Sequence, residues 1–274
     1  MHRHRRYRLR IRHPERASNL NLKITVITPT YNEAENLPRL VSALFSLPLD
    51  VSVLVVDDNS PDGTGRIADE LVRRHEGRID VIHRAGKLGL RTAYLEGFAR
   101  ALKTDAEAIV QMDADFSHDP AILMPMAERL ATCDLVHGSR YVPGGSVDER
   151  WATWRKGLSA FGNFYARTIL GLPLRDVTTG YRMWRRETLE GMPLERIKAS
   201  GYIFLVELAY LANCLEYKVG EVPIYFADRK WGKSKMSFAI QAEAAVRVWQ
   251  VLWDYRDLRK MGKKARVKGQ GSPL

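Results

Sequence analysis

Apolar and polar positions alternate in blocks from Lys23 onward, and the blocks read as strands followed by helices. Ile24-Thr25-Val26-Ile27-Thr28 is a short β-branched run, and a helical stretch follows from about Asn36 to Leu47. Val51 to Val56 is a second strand ending at Asp57-Asp58. Ser60 then predicts a helix cap with Pro61 at the first helical position. Ile79 to His83 is a third strand, and Gly86 and Gly89 mark the turn before a helix through Leu102. Ala108 to Met112 is a fourth, Asp119-Pro120 opens the next helix, and Leu135 to Gly138 is a further short strand. Repeated βα units of this kind predict an α/β fold with a mostly parallel, doubly wound sheet. The second half reads differently: a helix from Trp151 to Leu170 carrying aromatic and basic residues, a strand from Val219 to Phe226, a polar loop over 227–237, and an amphipathic helix from Phe238 to Tyr255. The pattern predicts one domain over 21–255, with the sheet in the first half and a covering layer in the second.

Each polar cluster of the first half falls where a strand ends. Pro29 to Glu33 follows the first strand, Asp57 to Ser60 the second, and Asp113-Ala114-Asp115 the fourth. Open α/β sheets bind ligands outside the carboxyl ends of their strands, so three clusters on one edge describe a crevice. Two carboxylates one residue apart repel each other, and a divalent cation, which commonly serves a phosphate, would remove the conflict; a solvated turn with an Asp cap is the other reading. Glu33 and Asp58 can accept hydrogen bonds from base N–H groups, and Tyr31 can pack on a ring face. Neither a Gly-x-Gly-x-x-Gly fingerprint nor a Walker loop is present, which argues against NAD enzymes and P-loop NTPases.

Charge alters this picture only at the ends. The 274 residues carry a formal net charge of +11; residues 1–20 and 256–274 contribute +6 each, leaving the body near −1. Both ends read as disordered basic tails suited to an anionic lipid surface, and no nucleic-acid signature favours nucleic acid as the partner. Two cysteines, Cys133 and Cys214, make no framework or metal spacing and fit a reducing compartment. The charged N-terminus lacks a signal peptide's apolar core, and the apolar run Tyr202 to Leu215 is too short to span a bilayer. A cytoplasmic protein, peripheral on the cytosolic face of a membrane, is the expectation.

Pro29 to Glu33, Val56 to Thr64, Lys87-Leu88-Gly89-Leu90, Met112 to Asp115 and Gly138-Ser139-Arg140-Tyr141 occur in an order and spacing that resembles the family 2 inverting glycosyltransferases of the GT-A fold. Ser60-Pro61-Asp62-Gly63-Thr64, Arg155, Asp176 to Arg182, and Asp228-Arg229 leading to Gly232-Lys233-Ser234-Lys235 are most similar to the dolichyl- or polyprenyl-phosphate mannose synthases. The resemblance covers about residues 22–240. It implies that Pro29, Tyr31, Glu33, Val56 and Asp58 hold the guanosine of GDP-mannose. Asp113, Ala114 and Asp115 would serve the donor and its Mg²⁺ or Mn²⁺, with Asp115 the leading ligand. Arg140 would bind phosphate near the reacting centre, and Arg229 and Lys235 would close over the diphosphate.

Two departures stand out. Ser117 occupies the position where some relatives place a metal-ligating Gln, and Lys233 replaces the Glu of a Gly-Glu-Ser-Lys loop. Arg155, in a helix with Trp151, Trp154, Ser159 and Phe161, suits a bidentate grip on the acceptor phosphate, with Arg140 and Ser159 beside it. His118 and His137 read as structural or capping residues. The expected reaction is mannosyl transfer to a dolichyl or polyprenyl monophosphate, with room for a membrane-anchoring partner protein. A UDP-sugar donor (glucose or N-acetylglucosamine) on the same fold is one alternative. A silent nucleotide-binding scaffold is another, against which the intact acids argue.

Overall fold

The computed structural model describes residues 22–227 and 238–259, the side chains of 238–244 excepted. Most of both basic tails, and the loop bearing Arg229 and Lys235, lie outside the described residues. The chain runs β1 (Ile24–Thr30), α1 (Asn36–Phe45), β2 (Val51–Asp57), α2 (Thr64–Arg74), β3 (Ile79–His83), α3 (Leu90–Ala101) and β4 (Ala108–Gln111). A 3₁₀ turn (Pro120–Ile122) leads to α4 (Leu123–Leu130), β5 (Leu135–Ser139) and β6 (Ser146–Val147). Then come α5 (Thr153–Leu170), β7 (Arg182–Arg185), α6 (Arg186–Gly191), α7 (Gly201–Cys214), β8 (Val219–Pro223), β9 (Tyr225–Phe226) and α8 (Phe238–Asp254).

Among the described residues, seven strands form one sheet in the order β3-β2-β1-β4-β7-β5-β8, with β7 antiparallel to both neighbours and the other pairs parallel. Near-continuous apolar strands fit this arrangement, because helices cover both faces. On one face Tyr94 and Phe98 of α3, Ala166 and Leu170 of α5, and Phe204 and Leu208 of α7 pack against Ile27, Ile109 and Trp184. On the other, Leu37, Leu40, Leu71, Leu123 and Met126 pack against Val26, Val53 and Val110. The sheet is thus the middle of three layers, and its carboxyl edge is left open for the loops.

Four expectations are corrected. The second half does not merely cover the sheet: β7 and β8 belong to it. Arg182-Met183-Trp184-Arg185 lacks a β-branched run, and its arginines conceal a strand whose Arg182 is wholly buried. The second helix starts at Thr64 rather than Pro61. Asp57 takes the Ser60 hydroxyl (2.6 Å) and amide (3.0 Å), and Gly63 turns at φ 89° before Asp62 receives the Thr64 amide at 3.0 Å. Trp151 precedes α5 rather than starting it, and is buried edge-on to Phe226 at 5.7 Å. The C-terminal basic segment begins inside the packed body, where Leu258 is buried and Asp257 pairs with Arg196 at 2.8 Å. No helix among the described residues is long and apolar enough to cross a membrane.

Candidate active site

The β1 and β2 ends form the first wall of the crevice. Thr30 at the end of β1 donates to Asp57 at 2.9 Å, which ties the two strand ends together. Asp57 is therefore spent on loop structure, and its neighbour Asp58 turns the other way to pair with the buried Arg84. Arg84 also donates to Thr92 on α3 and lies 3.1 Å from Glu96, so the loop after β3 is fastened to the loop after β2. The Glu33 amide donates to Thr64 (2.9 Å), and its carboxylate accepts from Asn36 (2.8 Å). Tyr31 is partly exposed, and the Lys87 ammonium sits over its ring at 3.6 Å. Val56 is buried at the base of this wall. Arg84 and Lys87 had no role assigned from sequence; two cations directly after a strand, opposite the Asp58 loop, were the available signal.

The second wall is the turn after β4. Asp113 and Asp115 are half-buried on either side of the buried Ala114. The turn is made locally: the Asp113 amide donates to His118 Nδ1 (3.1 Å), the Ser117 amide donates to Asp115 (3.0 Å), and Phe116 takes φ 58°. A non-glycine residue there signals a backbone held by its surroundings. Because His118 Nδ1 accepts, its ring proton sits on Nε2, and the ring stacks on Tyr181 at 4.8 Å. His118 thereby ties the turn to Tyr181. Ser117 Oγ is buried and has no hydrogen-bond partner among the described residues. The Tyr94 hydroxyl lies 3.5 Å from Asp113.

The third wall comes from the second half. Arg140, just past β5, is buried and fully engaged on one edge: Nε and Nη2 meet the two Asp176 oxygens at 2.7 and 2.8 Å, and Nη2 also reaches Thr178 at 2.8 Å. Burial opposes the charge on both partners, but the pair wins. The Asp176 carboxyl lies below its usual range and the Arg140 guanidinium above its own. Gly145 packs on this arginine's backbone, where a Cβ would fall 2.5 Å from the Ser139 carbonyl. Asp176, a residue given no role from sequence, holds the Arg140 fork. On α5, Arg155 lies over the Trp151 ring at 3.8 Å, and Ser159 receives the Tyr141 hydroxyl at 2.8 Å. Asn163 closes the wall through Thr178 (2.9 Å) and the Val177 amide (2.8 Å).

A mostly parallel sheet flanked by helices, with acids at its open edge, has the α/β architecture of the GT-A type. Residues 25–192 match the family model described as glycosyl transferase family 2. The chain is 46% identical over 224 residues to a polyprenol monophosphomannose synthase of Mycolicibacterium smegmatis, covering 81% of this chain and 84% of that one. It is 42% identical over 240 residues to an undecaprenyl-phosphate mannosyltransferase of Micrococcus luteus, covering 87% and 98%. A mannosyltransferase from Pyrobaculum calidifontis, solved with GDP-Man and Mn²⁺, shares the fold at TM-score 0.52 and 15% identity, over 93% of this chain and 77% of that one. The chain belongs to glycosyl transferase family 2.

Proposed function

We propose that this enzyme transfers mannose, with inversion, from GDP-mannose to a polyprenyl or dolichyl monophosphate. One loop carries the reading. Asp176 at its start grips Arg140, and Gly180 at its end is so close to Asp113 that an added Cβ would lie 3.9 Å from that carboxylate. Donor acids and acceptor arginine are therefore neighbours across a single short segment. The mannosyl- and polyprenyl-phosphate names of the two curated relatives supply the substrate classes.

Pro29, Tyr31, Glu33, Val56 and Asp58 hold the guanosine, with Arg84 and Lys87 fixing Asp58 and Tyr31 in place. A divalent cation here would be shared between the protein and the substrate. Asp113, Asp115 and the otherwise unsatisfied Ser117 hydroxyl are oxygen donors that suit Mg²⁺ or Mn²⁺ completed by diphosphate oxygens. When bound, the ion supplies positive charge to the leaving diphosphate. Arg229 and Lys235 add to that charge. Arg140, held by Asp176, and Arg155 orient the acceptor phosphate for in-line attack, with Ser159 as a further donor. A phosphate monoester with a second pKa near ~6 is already ionised at neutral pH, so no side chain has to remove a proton.

The lipid acceptor calls for a membrane surface. Trp154, Phe161 and Phe164 on α5 and Val246, Trp249 and Trp253 on α8 are all more than half exposed, and Trp249 donates to Tyr165 at 2.9 Å to join the two helices. This paired face lies on the interface as a peripheral anchor on the cytosolic side. Incubation with radiolabelled GDP-mannose, UDP-glucose or UDP-N-acetylglucosamine and a polyprenyl phosphate tests the reading. Organic-extractable label is expected from GDP-mannose; label from a UDP-sugar instead, or from none, overturns it.

A further inference from the structure

Beneath the crevice floor, three neighbouring strands carry a row of polar side chains that the reaction above leaves unused. Gln111 on β4 pairs in register with Arg182 on β7, and Arg182 pairs with His137 on β5. Directly opposed residues project from the same face of a sheet. All three are completely buried. Each keeps one nitrogen without a hydrogen-bond partner among the described residues: Gln111 Nε2, Arg182 Nη1 and His137 Nε2. An orphaned buried polar group is costly, so packing alone does not account for three in a row. Two donors and one acceptor form a set that internal water can satisfy.

The row reaches both halves of the site. On the donor side, the Tyr94 hydroxyl lies 3.5 Å from Asp113 and within electrostatic range of the Arg182 guanidinium. On the acceptor side, His137 Nδ1–H donates to the Asp176 carbonyl at 3.2 Å, and the Asp176 carboxylate holds Arg140. Between them, Arg182 Nε donates to the Thr179 carbonyl and Nη2 to the Val177 carbonyl, both at 3.0 Å. These carbonyls belong to the loop that runs from Asp176 to Gly180. Burial pulls Arg182 down to about 9, still above neutral pH, so a cation sits at the centre of the row.

We infer that Arg182 is a positioning residue: it fixes the Val177–Thr179 backbone and, through Tyr94 on one side and His137 and Asp176 on the other, sets Asp113 and Arg140 at their working separation. The inference rests on the donor and acceptor assignments of the preceding section. Donor and acceptor sites are then coupled through the floor of the sheet rather than across the open crevice.

The test uses the full chain and three variants, Arg182→Met, Tyr94→Phe and His137→Gln, each followed by calorimetry with Mn²⁺ and GDP, by KM for both substrates and by thermal melting. Arg182→Met is expected to raise KM for donor and acceptor alike, by about 10-fold each, as loss of an outer-shell partner does. Tyr94→Phe is expected to weaken Mn²⁺–GDP binding and leave the acceptor KM unchanged; His137→Gln is expected to do the reverse. A structural role alone would lower the melting temperature and the active fraction while both KM values stay at wild type, and that result overturns the inference. Should Arg182→Met fail to fold, the opposed effects of the other two variants decide, and unchanged constants in both overturn it. If the wild type transfers no label to polyprenyl phosphate, the functional reading fails separately; Mn²⁺–GDP binding to Tyr94→Phe still decides the donor arm, and wild-type binding there overturns the inference.

Discussion

Asp57 and Asp176 are both buried carboxylates near the open edge of the sheet, and they are satisfied in opposite ways. Asp57 meets Ser60 three residues along its own loop and Thr30 on the adjacent strand. Asp176 meets Arg140, 36 positions earlier in the chain, and accepts from its amide, Nε and Nη2. The wall proposed for the donor is thus assembled from turns that each strand end makes for itself, fastened sideways by Arg84. The wall proposed for the acceptor is a long-range closure around the Arg140–Asp176 ion pair. Damage to the donor wall should cost activity and spare the fold, whereas damage to the acceptor wall should cost both.

Asp176→Asn is the severest test of that contrast. It leaves a buried guanidinium without its anion, and breaking such a pair costs about 3–5 kcal/mol; denaturant melts should show the loss together with lost transfer. Acid acts the same way: the Asp176 pKa is lowered in the folded state, so its contribution is complete above the usual 3.8 and disappears as pH falls through the lower folded value. A wild-type melting curve for Asp176→Asn would erase the distinction between the walls.

Asp115→Asn should cut transfer by at least about 100-fold, the scale seen when a charge-stabilising group is removed from an active site, while the melt stays within error of wild type. EDTA should reproduce the loss reversibly. Unfolding of the variant would place Asp115 with Asp176 rather than opposite it.

His137 offers a graded measure of the acceptor wall. Burial and the nearby Arg182 hold its pKa well below the usual 6.5, so the unfolded chain binds a proton that the folded chain refuses. Stability should therefore fall as pH drops below 6.5, with a slope approaching about 1.4 kcal/mol per unit, and His137→Gln should remove that slope in a pH series of melts. The smallest effect belongs to the donor wall. Replacing Tyr31 by Leu removes the platform under Lys87 and should weaken GDP binding by about 1 kcal/mol, the scale of an exposed cation–π contact, with acceptor KM unchanged.

The difference between the walls is also a difference in legibility. Polar clusters at the ends of β1, β2 and β4 stood out because β-branched runs stop abruptly at Asp, Asn and Pro. The same local chemistry misled at Ser60, whose hydroxyl reads as a helix cap until Asp57 across the turn claims it. β7 was invisible because an arginine in a four-residue strand has no periodic signal; the carbonyls of Val177 and Thr179 accept from Arg182 there. Arg155 drew notice by its company, but Trp151, part of that company, is buried under Phe226.

Local order was written in the chain itself: alternating strands and helices, a sheet edge rich in acids, and motifs specific enough to place the protein in its family. Those features depend on residues within a few positions of one another or on the apolar repeat, so one dimension suffices to read them. Which carboxylate pairs with which arginine depended on the tertiary structure, because β7 enters the sheet between β4 and β5 and brings the loop that begins at Asp176 against Arg140. Burial then decides the chemistry: away from water each charge must find its partner across the fold, and that partner's position in the sequence carries no trace of the meeting.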